Sequence, residues 1–164
     1  MIRILVRIYA TIRGWMNPIK FPEDKNPIWK KVREYEMLEF SKWVNSFEYK
    51  SDPLMGLLDH TQTFEHFADP ESKDSRDCDD FARMWFLWGV YNGYQATEYI
   101  VGDDGIPPKF HVVTVLRQYS GLYFLCDYQH FGPFQTLEEC KECLCRRWSH
   151  YKMDSLIFQR YLSD

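Results

Sequence analysis

Three side chains that lie far apart in the sequence have the residue types of a thiol-based catalytic site. Cys78 begins an apolar stretch, His111 precedes a run of strand-forming residues, and Asp127 follows the next such run. The thiolate is the nucleophilic form of cysteine, and it is favoured by a helix N-terminus and by a nearby imidazolium. The imidazole can later protonate a leaving group, while a carboxylate orients the ring. If the three residues meet, acyl-transfer chemistry is expected.

A β-hairpin is predicted to bring two of these residues together. Residues 111–117 and 122–127 have the composition of strands, with residues 118–120 as a short loop between them. Such a loop pairs residue 117 with residue 121 and, counting outward in steps of two, His111 with Asp127. Directly opposed residues share a sheet face, with Cβ atoms about 4.5–5.5 Å apart. The hairpin therefore predicts that the Asp127 carboxylate lies beside the His111 ring.

The segment around the cysteine resembles a known motif. Residues 76–82, RDCDDFA, are similar to the nucleophile motif of bacterial transglutaminase-like cysteine peptidases, and the order Cys, His, Asp extends the resemblance over about residues 49–130. The resemblance implies a papain-like (transglutaminase-like) fold and a Cys78–His111–Asp127 triad. It also implies hydrolysis or acyl transfer at peptide, amide or isopeptide bonds of a peptide or protein substrate. The family usually has glycine two residues before the cysteine, where this chain has Arg76.

A second interpretation stays open beside the enzyme. The departure at Arg76 and a basic, apolar N-terminal arm suit a non-catalytic structural or binding module of the same fold, such as a virion or assembly component. In that case the arm would dock on a protein partner. The Cys78 sulfur would then be occluded or far from His111.

Other residues near the cysteine have candidate supporting roles. The backbone N–H of Cys78 is a natural donor to an oxyanion, and Gln62 is the side-chain candidate by residue type. Asp77 is a candidate N-cap of the helix, and Asp79 and Asp80 are predicted to stabilise its first turn. These acids also surround the thiol with negative charge, which His111 would have to outweigh.

The candidate residues are positioned by predicted elements that come in the order helices, antiparallel sheet, helices. This order indicates an α+β domain. The central, apolar nucleophile helix should pack on the sheet and end at Asn92-Gly93, with Gly93 in the left-handed conformation. A single domain is expected, comprising an N-terminal arm (1–25), a catalytic core (26–130) and C-terminal helices (131–164). The predicted elements are helices at about 27–48, 53–67, 78–92 and 136–150, strands at 94–101, 111–117 and 122–127, and a last short helix ending near 162.

A cysteine cluster near the C-terminus suggests zinc but fits a helix better. Cys140, Cys143, Cys145 and His150 follow Thr136, which opens a capping box. On a helix, residues 140 and 143 share a face while residue 145 turns away, whereas structural zinc sites need converging ligands. The expectation is that the chain has no metal and no cofactor.

Composition excludes several classes of protein. The 164 residues carry a net charge of −4, and 18% of them are aromatic. Disorder and non-specific nucleic-acid binding are therefore not expected. No apolar run reaches the length of a membrane span. Five cysteines, an odd number, without an uninterrupted secretory h-region favour a cytoplasmic location, or a virion if the source is viral.

Overall fold

The computed structural model describes residues 19–50, 62–72, 76–102 and 110–148, and the backbone of residues 157–159. Its helices are α1 (Pro27–Val32), α2 (Met37–Val44), α3 (Phe64–Ala68), α4 (Cys78–Tyr91) and α5 (Leu137–Arg147). Its strands are β1 (Gln95–Gly102), β2 (Phe110–Arg117), β3 (Tyr123–Cys126), β4 (His130–Phe134) and β5 (Ile157–Gln159). Most of the predicted N-terminal arm, most of the predicted helix 53–67 and His150 lie outside the described residues.

The predicted α+β class is confirmed. The strands form one antiparallel sheet in the order β4-β3-β2-β1-β5. Helix α4 packs against β1 and β2, while α5 packs against β3 and β4. Within the described residues no helix is both long and apolar enough to cross a membrane.

The single long helix predicted for residues 27–48 is wrong, because the chain breaks between α1 and α2. Glu36 and Glu39 form a capping box that starts a new helix. The carbonyls of Arg33 and Tyr35 lie at this break, and both accept hydrogen bonds from side chains of the central helix α4 or of its C-cap, Asn92. The indole of Trp88 donates to the Tyr35 carbonyl at 3.2 Å, and the Asn92 amide donates to the Arg33 carbonyl at 3.0 Å. These tertiary hydrogen bonds outweigh the continuous helical periodicity of the sequence.

Helix α4 has the predicted bounds and burial. Asp77 is its N-cap and forms a capping box with Asp80, and Gly93 follows its end with φ +77°. Over most of its length the helix has no solvent-exposed face, because the residues from Asp79 to Gly89 are all buried. Gly89 allows close contact with the sheet, because a Cβ there would lie 2.3 Å from a methyl carbon of Leu116. Cys78 is thus carried at the tip of the most enclosed helix described.

The hairpin between β2 and β3 forms, but its predicted register is wrong by two residues. Arg117 pairs with Tyr123 instead of residue 121, because the loop has five residues (118–122) and is closed by a hydrogen bond from Gln118 N–H to the Leu122 carbonyl. Side chains alternate along a strand with period two, so a shift of two leaves every residue on its predicted face. Continuing the register makes His111 and Asp127 diagonal neighbours instead of directly opposed ones.

The sheet separates two apolar clusters. One lies between the sheet and α4 and contains Leu116, Phe124 and Cys126. The other lies between the sheet and α5 and contains Val113, Val115, Leu125, Cys140 and Leu144.

The C-terminal part contains two strands that were not predicted, of which the second lies where the last helix was expected. Residues 130–134 form β4, and residues 157–159 form β5, which pairs with β1. The prediction of a last short helix ending near residue 162 is therefore wrong for residues 157–159, which are the part of that segment that the structure describes. The capping-box helix from Thr136 is confirmed as α5, with the Thr136 hydroxyl accepting from the Glu139 N–H at 3.2 Å. The division into arm, core and C-terminal part stays a prediction.

Candidate active site

Cys78 lies at the first position of α4, where the end of the helix meets the sheet. Its side chain is half-buried and packs against the small cluster of Ala82, Ile100 and Val112. Thr114 fixes the helix to β2, since its hydroxyl donates to the Ala82 carbonyl at 2.6 Å. Helix and sheet are thus locked together one turn from the sulfur.

The His111 imidazole, near the start of β2, meets the Asp127 carboxylate, which directly follows β3. His111 Nε2 lies 3.2 Å from Asp127 Oδ2, and both side chains are buried. The Cys78 side chain lies near enough to His111 to contribute to raising the pKa of the ring. The structure therefore places the predicted histidine beside the predicted carboxylate, with the predicted cysteine in the electrostatic surroundings of the ring.

The electrostatics of His111 favour its charged form. Burial lowers the pKa of His111, but the Asp127 carboxylate, which accepts from the ring, and the neighbouring Cys78 outweigh this effect and raise the pKa to about 10. The ring is consequently an imidazolium at neutral pH. An imidazolium beside a thiol favours the thiolate, which is the reactive form of cysteine.

The acidic residues around Cys78 act as helix caps. Asp77 accepts from the Asp79 N–H at 3.2 Å, and Asp80 accepts from the N–H groups of Asp77 at 3.1 Å and Gln62 at 2.6 Å. The N-cap role that the sequence suggested for Asp77 is confirmed. Hydrogen bonds from backbone N–H groups therefore partly offset the effect of this negative charge on the thiol.

Potential metal ligands gather at the same place. Among the described residues, Asp77, Cys78 and Asp79 form a group whose ligand atoms lie within 4.8 Å of one another. Its cysteine is the one that contributes to the raised pKa of His111. Cys140, Cys143 and Cys145 join no such group within the described part of the chain.

Gln62 lies against the first turn of α4. Its backbone N–H donates to Asp80 Oδ1, two residues beyond Cys78. This hydrogen bond attaches the segment before α3 to the tip of the candidate nucleophile helix. The role of the Gln62 side chain as an oxyanion donor stays a prediction.

Arg76, the departure from the resembled motif, binds the end of α3. The guanidinium is buried, with Nε donating to the Phe67 carbonyl at 2.9 Å and a terminal nitrogen donating to the Asp69 carbonyl at 2.6 Å. It also lies over the ring of Phe47, 4.9 Å from the centroid. The large side chain therefore attaches the residues just before Cys78 to the end of α3.

Three aromatic residues near His111 and Asp127 had no role in the sequence analysis. The Trp148 ring lies 5.0 Å from the His111 ring, at an interplanar angle of 38°. Tyr128 follows Asp127 directly, and Tyr49 packs against Tyr128. The position of Tyr128 next to Asp127 was a usable signal. Nothing local in the sequence links Trp148 or Tyr49 to a site near 111.

Similarity to known proteins is weak. No family model matches the chain, and no curated protein matches its sequence. Among solved structures, LapG of Legionella pneumophila is similar at a TM-score of 0.36, with 16% sequence identity, over 77% of this chain and 70% of that chain. A match at this TM-score carries no argument about family or activity.

Proposed function

We propose that the chain is a cysteine-dependent hydrolase or acyl transferase with a transglutaminase-like (papain-like) catalytic domain. Cys78 is the nucleophile, His111 the acid and base, and Asp127 the orienting group. The observation that carries the proposal is the buried 3.2 Å contact between His111 Nε2 and Asp127 Oδ2, on a ring whose pKa Cys78 helps to raise. Each of the three groups thus has a neighbour suited to its role.

The proposed reaction has two steps. The Cys78 sulfur forms a bond to the carbonyl carbon of a peptide, amide or isopeptide, and the carbonyl electron pair moves to oxygen. When this intermediate collapses, the carbon–nitrogen bond breaks and the leaving nitrogen takes a proton from His111. Water or an acceptor amine then gives a proton to His111 and attacks the thioester, which releases the Cys78 thiolate.

Selective alkylation tests the proposal. Iodoacetamide at neutral pH should modify Cys78 faster than Cys143, although both side chains are half-buried, because Cys78 has the charged imidazole of His111 nearby. His111→Ala should slow the alkylation of Cys78. His66→Ala is the matched control, because His66 is exposed on α3, and it should have no effect.

Equal alkylation rates at Cys78 and Cys143, or a Cys78 rate insensitive to His111→Ala, would refute the proposal. That result would favour the non-catalytic structural or binding module. A covalent probe for thiol hydrolases gives the second test, and labelling should be lost in Cys78→Ala.

A further inference from the structure

The His111 ring packs against an aromatic residue from a different part of the fold. The indole of Trp148 lies on it, with ring centroids 5.0 Å apart and an interplanar angle of 38°. The Tyr128 ring is farther away, at a centroid distance of 6.5 Å. His111 is buried, whereas Trp148 is half-buried. Trp148 is therefore in direct contact with the proposed acid and base.

The position of the indole is fixed by its own surroundings. Trp148 is the C-cap of α5, and its N–H donates to the carbonyl of Leu144, which is buried between α5 and the sheet, at 3.0 Å. Arg147 braces the same end of the helix, since its guanidinium carbon lies 4.1 Å from the ring centroid of Phe131 and 5.4 Å from that of Trp148. Phe131 belongs to β4. The indole is thus held by α5 and β4, neither of which carries a residue of the proposed triad.

The contact suits a histidine ring that must keep one orientation while it carries a proton. An aromatic face attracts a cation within about 6 Å of its centroid. The Asp127 carboxylate, 3.2 Å from Nε2, favours the same positive charge, while the guanidinium of Arg147 near the indole opposes it. A flat neighbour also restricts rotation of the imidazole about its side-chain torsions. Trp148 therefore limits the orientations of the ring to those that keep it beside the carboxylate.

We propose that Trp148 is a positioning residue, whose indole holds the His111 ring against Asp127 so that the ring can protonate the leaving group. This inference rests on the proposed function. When Cys78 attacks an ester, the sulfur–carbon bond forms and the bond from that carbon to the leaving oxygen then breaks. The leaving oxygen keeps the electron pair and takes a proton from His111. A strongly basic leaving group depends on this proton, whereas a weakly basic one departs without it.

Comparing two esters tests this role. p-Nitrophenyl acetate releases a weakly basic phenolate, whereas phenyl acetate releases a more basic one. In Trp148→Leu, acylation of Cys78 by phenyl acetate should fall about 3- to 30-fold further than acylation by p-nitrophenyl acetate, which is part of the roughly 10²- to 10⁴-fold that a positioned acid supplies. Trp148→Phe keeps a flat ring and should restore most of this difference. The ratio of the two rates does not depend on the folded fraction or on the thiolate fraction, so a purely structural role would leave it unchanged.

A spectroscopic measurement tests the same contact without catalysis. A buried imidazole N–H that donates to a carboxylate gives a proton NMR signal at low field, and His111→Ala identifies the signal of His111. The signal should vanish through exchange with water in Trp148→Leu and persist in Trp148→Phe. Trp148→Gln takes the place of the leucine variant if that variant does not fold, because a half-buried C-cap accepts a polar side chain. Trp43→Leu is the matched control, because Trp43 is another half-buried indole but packs against Phe40 on α2, and it should change neither the signal nor the ratio.

The outcomes separate this inference from the proposed function. An unchanged ratio in Trp148→Leu overturns the positioning role, whether or not the signal is lost, and leaves the proposed function standing. Equal changes in Trp148→Leu and Trp43→Leu also overturn it, since general loosening of the fold would then be the cause. A wild-type protein without the low-field signal overturns it as well, because the bond to Asp127 is its premise. If wild-type Cys78 is acylated no faster than Cys143, the proposed function fails, while the signal still decides whether Trp148 holds the ring.

Discussion

Replacing Asp127 by asparagine should reverse the sign of the pH dependence that His111 gives to stability. In an unfolded chain histidine has a pKa of about 6.5. In the folded protein burial lowers the His111 pKa, but Asp127 and Cys78 raise it overall to about 10. Its contribution to stability is thus complete below pH 6.5 and is lost as the pH rises toward 10.

The magnitude follows from proton counting. Between these two pKa values the folded state holds one more proton on His111 than the unfolded state, so the free energy of unfolding falls by about 1.4 kcal/mol per pH unit. In Asp127→Asn the ring stays buried but loses the carboxylate that favours its charge, so the His111 pKa should fall below 6.5. Stability should then be lost as the pH falls below 6.5. From pH 6.5 to 8.5 the two proteins should diverge by at most about 3 kcal/mol.

The measurement is a set of urea unfolding curves from pH 5 to pH 9, followed by tryptophan fluorescence. Both proteins carry Cys78→Ser, so that ionisation of the thiol does not offset that of the imidazole. This substitution also removes the part of the His111 shift that Cys78 supplies. The neighbouring phenols of Tyr49 and Tyr128 have raised pKa values and stay protonated over this range. All other titrations cancel in the difference between the two proteins.

A second aspartate provides the control. Asp69 is exposed at the end of α3, and Asp69→Asn should leave the pH profile unchanged. Parallel profiles for the Asp127→Asn protein and its parent would refute the reasoning, because the carboxylate would then have no part in holding the charge on His111.

Three further substitutions test the framework around the site, each by chemical denaturation. Gly89→Ala should destabilise the fold by about 1–3 kcal/mol, because the new methyl would overlap buried Leu116, and an unchanged midpoint would contradict that contact. Thr136→Ala should cost about 1 kcal/mol by removing the N-cap of α5, and serine at this position should restore most of it. Arg83→Met should cost about 3–5 kcal/mol, because it leaves Glu98 charged and buried without its 2.7 Å partner. Adding Glu98→Leu should recover much of that loss, and an equally unstable double variant would argue against the buried charge as the cause.

The sequence was most informative where local signals decide the structure. The cap at Asp77, the apolar pattern and Gly93 were enough to predict α4, and Thr136 was enough to start α5. The candidate site depends on these local signals at Cys78. It also depends on the strand pattern, which still assigns His111 and Asp127 to one face when the register is off by two residues.

Tertiary contacts decide the features that the sequence did not predict. The break between α1 and α2 depends on Trp88 and Asn92, which lie more than 50 residues further along the chain. Strand β5 exists through its pairing with β1, across a similar distance in sequence. The hydrophobic pattern within a short stretch of sequence does not reveal partners that lie so far away along the chain. For the same reason, the sequence did not indicate Trp148 against His111 or Tyr49 against Tyr128.

The five-residue loop between β2 and β3 has a consequence for how this fold can change during evolution. Losing or gaining one residue in the loop would turn the whole of one strand over and send the Asp127 side chain to the side of the sheet opposite His111. Losing or gaining two residues only slides the strands and keeps both side chains together. Descendants of this chain that retain the histidine–carboxylate pair should therefore vary the length of this hairpin in even steps, unless a β-bulge absorbs the odd residue.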